Sequence, residues 1–106
     1  MISKESIESM LEETKIPFRF HHFEEEEAVN PPFICWTIRP SNNFFADGKV
    51  YYEKSQLNIE LYTDAKDFSL EERIKMALEK HGLAWQKEEE YIESEKMYEA
   101  IFEVEV

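Results

Sequence analysis

Few residues in this 106-residue chain have both the type and the spacing for chemistry. His21, His22 and Glu24 are the types that bind a transition metal, but they lie in PFRFHHF, whose alternation of Phe18, Phe20 and His22 against Arg19, His21 and Phe23 predicts a short strand. Adjacent strand residues point to opposite faces, so the two imidazoles are expected apart, as paired surface histidines. Cys35 lies in the apolar stretch FICWTIR with no basic residue beside it, which predicts a buried structural thiol and not a nucleophile. Asp64, Asp67, Glu71 and Glu72 crowd the start of a helix; a hard cation would suit them, yet the helix dipole draws carboxylates to that end anyway. Among 24 acids, glycosidase-type carboxylate pairs arise by number alone. The two glycines, Gly48 and Gly82, allow no phosphate-binding glycine loop. The expectation is therefore a protein with no enzyme activity, no metal and no other cofactor.

Charge is the dominant global property. The 24 acidic residues against 12 basic give a formal net charge of -12, which repels phosphate backbones and argues against tight binding of nucleic acid. Acidic faces of this kind are commonly plain solubility devices. A hydrophobic fraction of 42% with 14% aromatics is that of a globular chain, and its length suits one domain with one core. No apolar run approaches the roughly 20 residues of a membrane span, and residues 1–14 are amphipathic without the plan of a signal peptide. The protein is expected to be cytosolic where it is made, in keeping with a single cysteine.

The elements that must position any site are legible from periodicity. Ser3 is placed as N-cap of a first helix with Ile7, Met10 and Leu11 on its apolar stripe, Ile2 and Ile7 spaced as a staple, and Pro17 as its stop. After PFRFHHF come four like charges, Glu24, Glu25, Glu26 and Glu27. FICWTIR is apolar on both faces and reads as a central strand. PSNNFFADG reads as a loop carrying two adjacent aromatics, and KVYYEKSQLNIELYT as one long strand with a bulge or bend near Lys54 and Ser55. The period then changes from 2 to 3.6: Leu70, Ile74, Ala77 and Leu78 make a helical stripe, with Ser69 and Glu72 as a capping box and Gly82 as the stop. LAWQKEEEYI reads as an exposed edge strand with Trp85 and Tyr91 on one side, and KMYEAIFEVEV as a half-buried terminal strand after a turn near Ser94. The order α-β-β-β-α-β-β predicts a single α+β domain over residues 1–106, two helices on one face of a largely antiparallel sheet. Leu57, Ile59, Leu61, Ile74, Leu78, Phe102 and Val104 are expected to share its core.

With that order in hand, PPFICWTIRPSNNFFADGKVYYEKSQLNIELYTDAKD and GLAWQKEEEYIESEKMYEAIFEVEV resemble small proteins from the tail-gene region of siphophages and Gram-positive prophages. The pattern NNFFAD, then a strand ending ELYTD, then YIESEKMYE is similar to that of tail terminator, or tail-to-head joining, proteins. The resemblance implies an α+β virion structural subunit assembled in the host cytoplasm as a ring, commonly hexameric. Such a ring caps the tail tube and faces the head connector. It carries no catalytic signature. Phe44 and Phe45, flanked by Asn42, Asn43 and Asp47, are the expected joining surface, because a polar turn-forming stretch gains little from an aromatic pair without a partner. Glu24, Glu25, Glu26 and Glu27 with Glu88, Glu89 and Glu90 are the candidates for an acidic lumen that lets DNA pass. Two other classes fit the composition: an acidic DNA mimic that blocks a host nuclease, and a binding module or chaperone for tail assembly.

Overall fold

The strict alternation of SQLNIELYT forms the middle strand of the sheet, β5 (Ser55–Thr63), in which Leu57, Ile59 and Leu61 are fully buried while Gln56, Asn58, Glu60 and Tyr62 between them are half-buried. The structure, a computed structural model, describes residues 3–23, 29–40, 44–46, 49–52 and 55–106. Around β5 lie β1 (Phe18–Phe20), β2 (Phe33–Pro40), β6 (Trp85–Ile92) and β7 (Met97–Glu105), in the order β1-β2-β5-β7-β6. Every pairing is antiparallel except the short parallel one of β1 with β2. Register carries the core across the strands: Trp36 stands opposite Ile59 and Ile59 opposite Phe102, while Ile34, Leu61 and Ala100 form the next row.

Helices α1 (Lys4–Glu12) and α2 (Phe68–Lys80) cover one face of this sheet, with Ile7, Met10, Leu11, Ile74, Ala77 and Leu78 in one cluster with the inward strand residues. All seven residues expected to share the core do so, and the architecture is the two-layer α+β domain the periodicities predict. Ser3 caps α1 by accepting a hydrogen bond from the Ser6 amide at 3.1 Å. Ile2, the other half of the expected staple, lies outside the described residues.

Two helix boundaries differ from expectation, each because a side chain captures backbone groups. Pro17 is not the stop of α1: Thr14 donates from Oγ1 to the Leu11 carbonyl at 2.6 Å and accepts from the Ile16 amide, and Lys15 turns the chain at φ 61°. α2 begins two residues earlier than a Ser69 cap would place it, because Asp67 accepts from the Ser69 and Leu70 amides at 3.1 and 3.2 Å. The Ser69 hydroxyl also donates to Asp67 at 2.8 Å, and this bond first, then the one from the Leu70 amide, holds the Asp67 carboxyl below its ordinary pKa. Gly82 does end the helical segment at φ 69°; an added Cβ would touch nothing within 4 Å, so glycine is needed there for its backbone alone.

The segment between β2 and β5 also departs from expectation. Phe44–Ala46 is not loop but a short strand, β3, paired antiparallel with β4 (Lys49–Tyr52) in a separate two-stranded sheet. The long strand expected from Lys49 onward is thus divided, β4 belonging to the ribbon and β5 to the main sheet; Lys54 of the predicted bend lies outside the described residues.

Candidate assembly surface

β2 and β5 pair from Phe33 opposite Tyr62 to Pro40 opposite Ser55, and the ribbon follows at that end. Within it Phe44 stands opposite Tyr52, Phe45 opposite Val50 and Ala46 opposite Lys49, with a register shift between Phe44 and Phe45. Cross-strand aromatic and β-branched pairs of this kind are favoured in sheets, but a two-stranded ribbon is marginal alone in water. The ribbon forms a two-stranded sheet of its own, separate from the five-stranded one. Asn42, Asn43 and Asp47, expected beside the aromatics, lie outside the described residues.

The acidic candidates separate into distinct places. Glu24 to Glu27 lie outside the described residues. Glu88, Glu89 and Glu90 are on edge strand β6, where alternation divides them. Glu88 stands opposite Ile101 and Glu90 opposite Glu99, on the sheet face that carries no helix; Glu89 stands opposite buried Ala100, on the helix side, and pairs with Lys66. The run is therefore not one acidic wall. Glu88 and Glu90 instead share the helix-free face with Glu60 of β5 and Glu99, Glu103 and Glu105 of β7, where Glu90 stands opposite Glu99 and both Glu60 and Glu88 stand opposite Ile101.

On that face Tyr62 donates from its hydroxyl to Glu60 Oε2 at 2.9 Å. Burial, and then the neighbouring Glu99 and Glu60 carboxylates, push the phenol far above its ordinary pKa, so it remains a donor. Phe33 stacks on Tyr62 at 5.1 Å between ring centres, and Phe23 meets Phe33 edge-on at 5.3 Å. Cys35 is buried beside them, and burial followed by the Glu60 and Glu99 charges pushes its thiol up to about 11. That is a thiol with little nucleophilic thiolate.

His21 and His22 correct the strand argument made for them. β1 ends at Phe20, His21 takes φ 70°, and the two rings turn toward each other with their Nδ1 atoms 3.3 Å apart. Both are exposed, and no cluster of three metal-ligating side chains occurs among the described residues.

Three of the four acids at the start of α2, Asp67, Glu71 and Glu72, have structural partners. Glu71 is buried and receives Lys66 Nζ at 2.6 Å on Oε2 and Lys87 Nζ on Oε1. Burial alone would raise the Glu71 carboxyl; the two lysine hydrogen bonds and their charges outweigh it and hold the pKa below its ordinary value. Glu72 pairs with Lys75 at 3.2 Å, and Asp67 is the cap described above. At the other end of α2, Glu13 of the α1 C-cap meets His81 at 2.9 Å and Lys80 at 3.4 Å.

A feature not singled out in the sequence is a groove of about 400 Å³ at the ribbon end of the sheet, lined by Gln56, Ala84, Trp85, Gln86, Glu103, Val104 and Glu105. Trp85 was expected only on one side of an edge strand with Tyr91; it packs edge-on against Phe102 at 5.6 Å. That β6 begins where β7 ends, leaving Trp85 half-covered, is a matter of register that local periodicity does not supply. No helix among the described residues is long and apolar enough to cross a membrane. Compared with protein-family models, curated proteins and solved structures, the chain matches none.

Proposed function

We propose that the chain is a structural subunit of a phage tail, a tail terminator or head-tail joining protein that closes into a ring at the end of the tail tube. The observation that carries this reading is the ribbon: Phe44–Ala46, within the NNFFAD of the resemblance, forms a two-stranded sheet separate from the main one, pairing Phe44 with Tyr52 and Phe45 with Val50. Aromatic residues on such a ribbon are suited to anchor a neighbour as hot spots. The acidic helix-free face supports the rest of the reading, since a wall of carboxylates along a DNA path would repel phosphate and keep the duplex mobile. The same face favours a second reading, an acidic DNA mimic that occupies a nuclease, because ordered carboxylates can imitate phosphates.

One experiment separates them. Purified protein is mixed with phage tail tubes lacking their terminal ring and viewed by electron microscopy, while a parallel sample is tested against nucleases and for DNA binding. The tail reading expects ring-shaped caps on the tubes, no inhibition and no tight DNA binding at physiological salt. Uncapped tubes together with stoichiometric nuclease inhibition would transfer the assignment to the mimic.

A further inference from the structure

We infer that the outer edge of β6 is a strand-addition site, and that its occupant is an extended segment of another protein in which basic residues alternate with apolar ones. This goes beyond the tail reading and does not depend on it: the tube experiment above can fail while the one below succeeds, and the reverse.

The five-stranded sheet has two edges, and the chain treats them differently. The β1 edge is cut short: three residues pair with β2, and φ 70° at His21 then turns the backbone away. The β6 edge runs for eight residues in unbroken register with β7, from Trp85 opposite Val104 to Ile92 opposite Met97. It contains no proline and no bulge, two of the devices that keep an edge from accepting a further strand. In an antiparallel pair every second residue of the edge strand turns its amide and carbonyl outward, here away from β7. Among the described residues no strand pairs with that side.

The side chains select what can sit there. On the helix side, a charge turned inward would bar an apolar neighbour. β6 carries two, Lys87 and Glu89, and each is taken up within the fold: Lys87 reaches buried Glu71, and Glu89 pairs with Lys66. Flanking them on the same side stand Trp85, half-buried, and Tyr91, which is 49% exposed and edge-on to Tyr98 at 4.9 Å. That side suits the apolar residues of an added strand. On the helix-free side Glu88 and Glu90 are exposed, and neither has a hydrogen bond or ion pair among the described residues. Glu90 also stands opposite Glu99, a like-charge pair that a cation beside it would relieve. A second copy paired antiparallel about the middle of β6 would set the run of glutamates against itself, so charge disfavours an edge-to-edge dimer. The strand that fits places lysine or arginine beside Glu88 and Glu90 and apolar residues beside Trp85 and Tyr91, with main-chain hydrogen bonds to β6 holding it.

The test is hydrogen exchange on isotope-labelled protein by NMR at physiological salt. The probe is an eight-residue peptide of alternating lysine and valine, blocked at both ends. In the free protein every second amide of β6 is expected to exchange freely. With peptide at about ten times its Kd those amides should slow about tenfold, because they are sealed only in the complex. The same peptide N-methylated throughout keeps its charge and loses its donors, and is expected to give no slowing. Glu88→Lys with Glu90→Lys should weaken the peptide about tenfold and accept instead a peptide of alternating glutamate and valine. Glu88→Gln with Glu90→Gln gives an intermediate loss should the reversal variant fail to fold. Absence of binding would overturn the inference. Equal binding of the N-methylated peptide, or slowing without the two-residue period, would reduce the effect to general attraction between opposite charges and overturn it as well. Protection of every second amide in the free protein also overturns it: at all concentrations it means that the chain itself covers the edge, and only at high concentration that a second copy is the occupant.

Discussion

Replacing Glu71 by Gln tests whether the acids at the start of α2 are structural. Glu71 is 3% exposed and accepts from both Lys66 and Lys87, whose side chains are each 23% exposed. A hydrogen bond to a charged group contributes about 1.5 to 3 kcal/mol, and removing one partner of a buried pair costs about 3 to 5 kcal/mol. Here both lysines reach solvent and keep Glu89 as a partner, so the expected loss is lower, about 2 to 3 kcal/mol. For a domain of this size that lowers Tm by about 10 °C. Urea unfolding measures it, with Glu89→Gln as a control expected to lose less than about 1 kcal/mol because that carboxylate is largely exposed.

The pH dependence gives an independent check. The folded-state pKa of Glu71 is lowered, so its contribution is fully present above the unfolded value of about 4.3 and is lost as pH falls through the folded value. The gap between wild type and Glu71→Gln should therefore be constant from pH 7 to about 5 and shrink below that. A loss under about 1 kcal/mol, or a gap unchanged down to pH 3, would refute the argument that this carboxylate is ionised and held by the two lysines.

Leu61→Ala, at a 1% exposed position between Ile34 and Ala100, should cost about 2 to 5 kcal/mol in the same assay, and under about 1 kcal/mol would mean that the core face is misassigned. Gly82→Ala should cost about 1 kcal/mol through its positive φ with no steric clash, so circular dichroism of the folded state should be unchanged while Tm falls by a few degrees. Phe44→Ser with Phe45→Ser should leave Tm within about 2 °C of wild type and abolish assembly or tail joining. A variant that melts well below this and still assembles would place both aromatics in the subunit's own core.

The sequence reading succeeded where one period extended over a whole element. Alternation in SQLNIELYT and MYEAIFEVE, together with the helical stripe from Leu70 to Leu78, was enough for the fold class, the core and the one-sided helix layer. It failed where a single side chain or φ angle decides. Thr14 and Lys15 stop α1 ahead of Pro17, Asp67 takes the cap from Ser69, and φ at His21 turns two imidazoles together that a strand would hold apart. The ribbon was hidden for a related reason: NNFFADGKVYY has turn composition, and only the pairing of Phe45 with Val50 shows that Phe44 and Phe45 belong to a strand. Alternation along β6 likewise sends Glu89 to the helix side while Glu88 and Glu90 stay on the helix-free face, a division that a run of three glutamates conceals.

The central claim, that this chain is a ring-forming subunit, is most directly tested by sedimentation velocity across protein and salt concentration, alone and with tail tubes. A hexamer of a subunit with net charge -12 gathers about 72 negative charges, so self-repulsion should keep the isolated protein small at low ionic strength. Added salt should then promote a discrete closed species, and tail tubes should do so at lower concentration. A mass that stays monomeric at high salt and high concentration, and stays monomeric when tubes are present, would contradict the account.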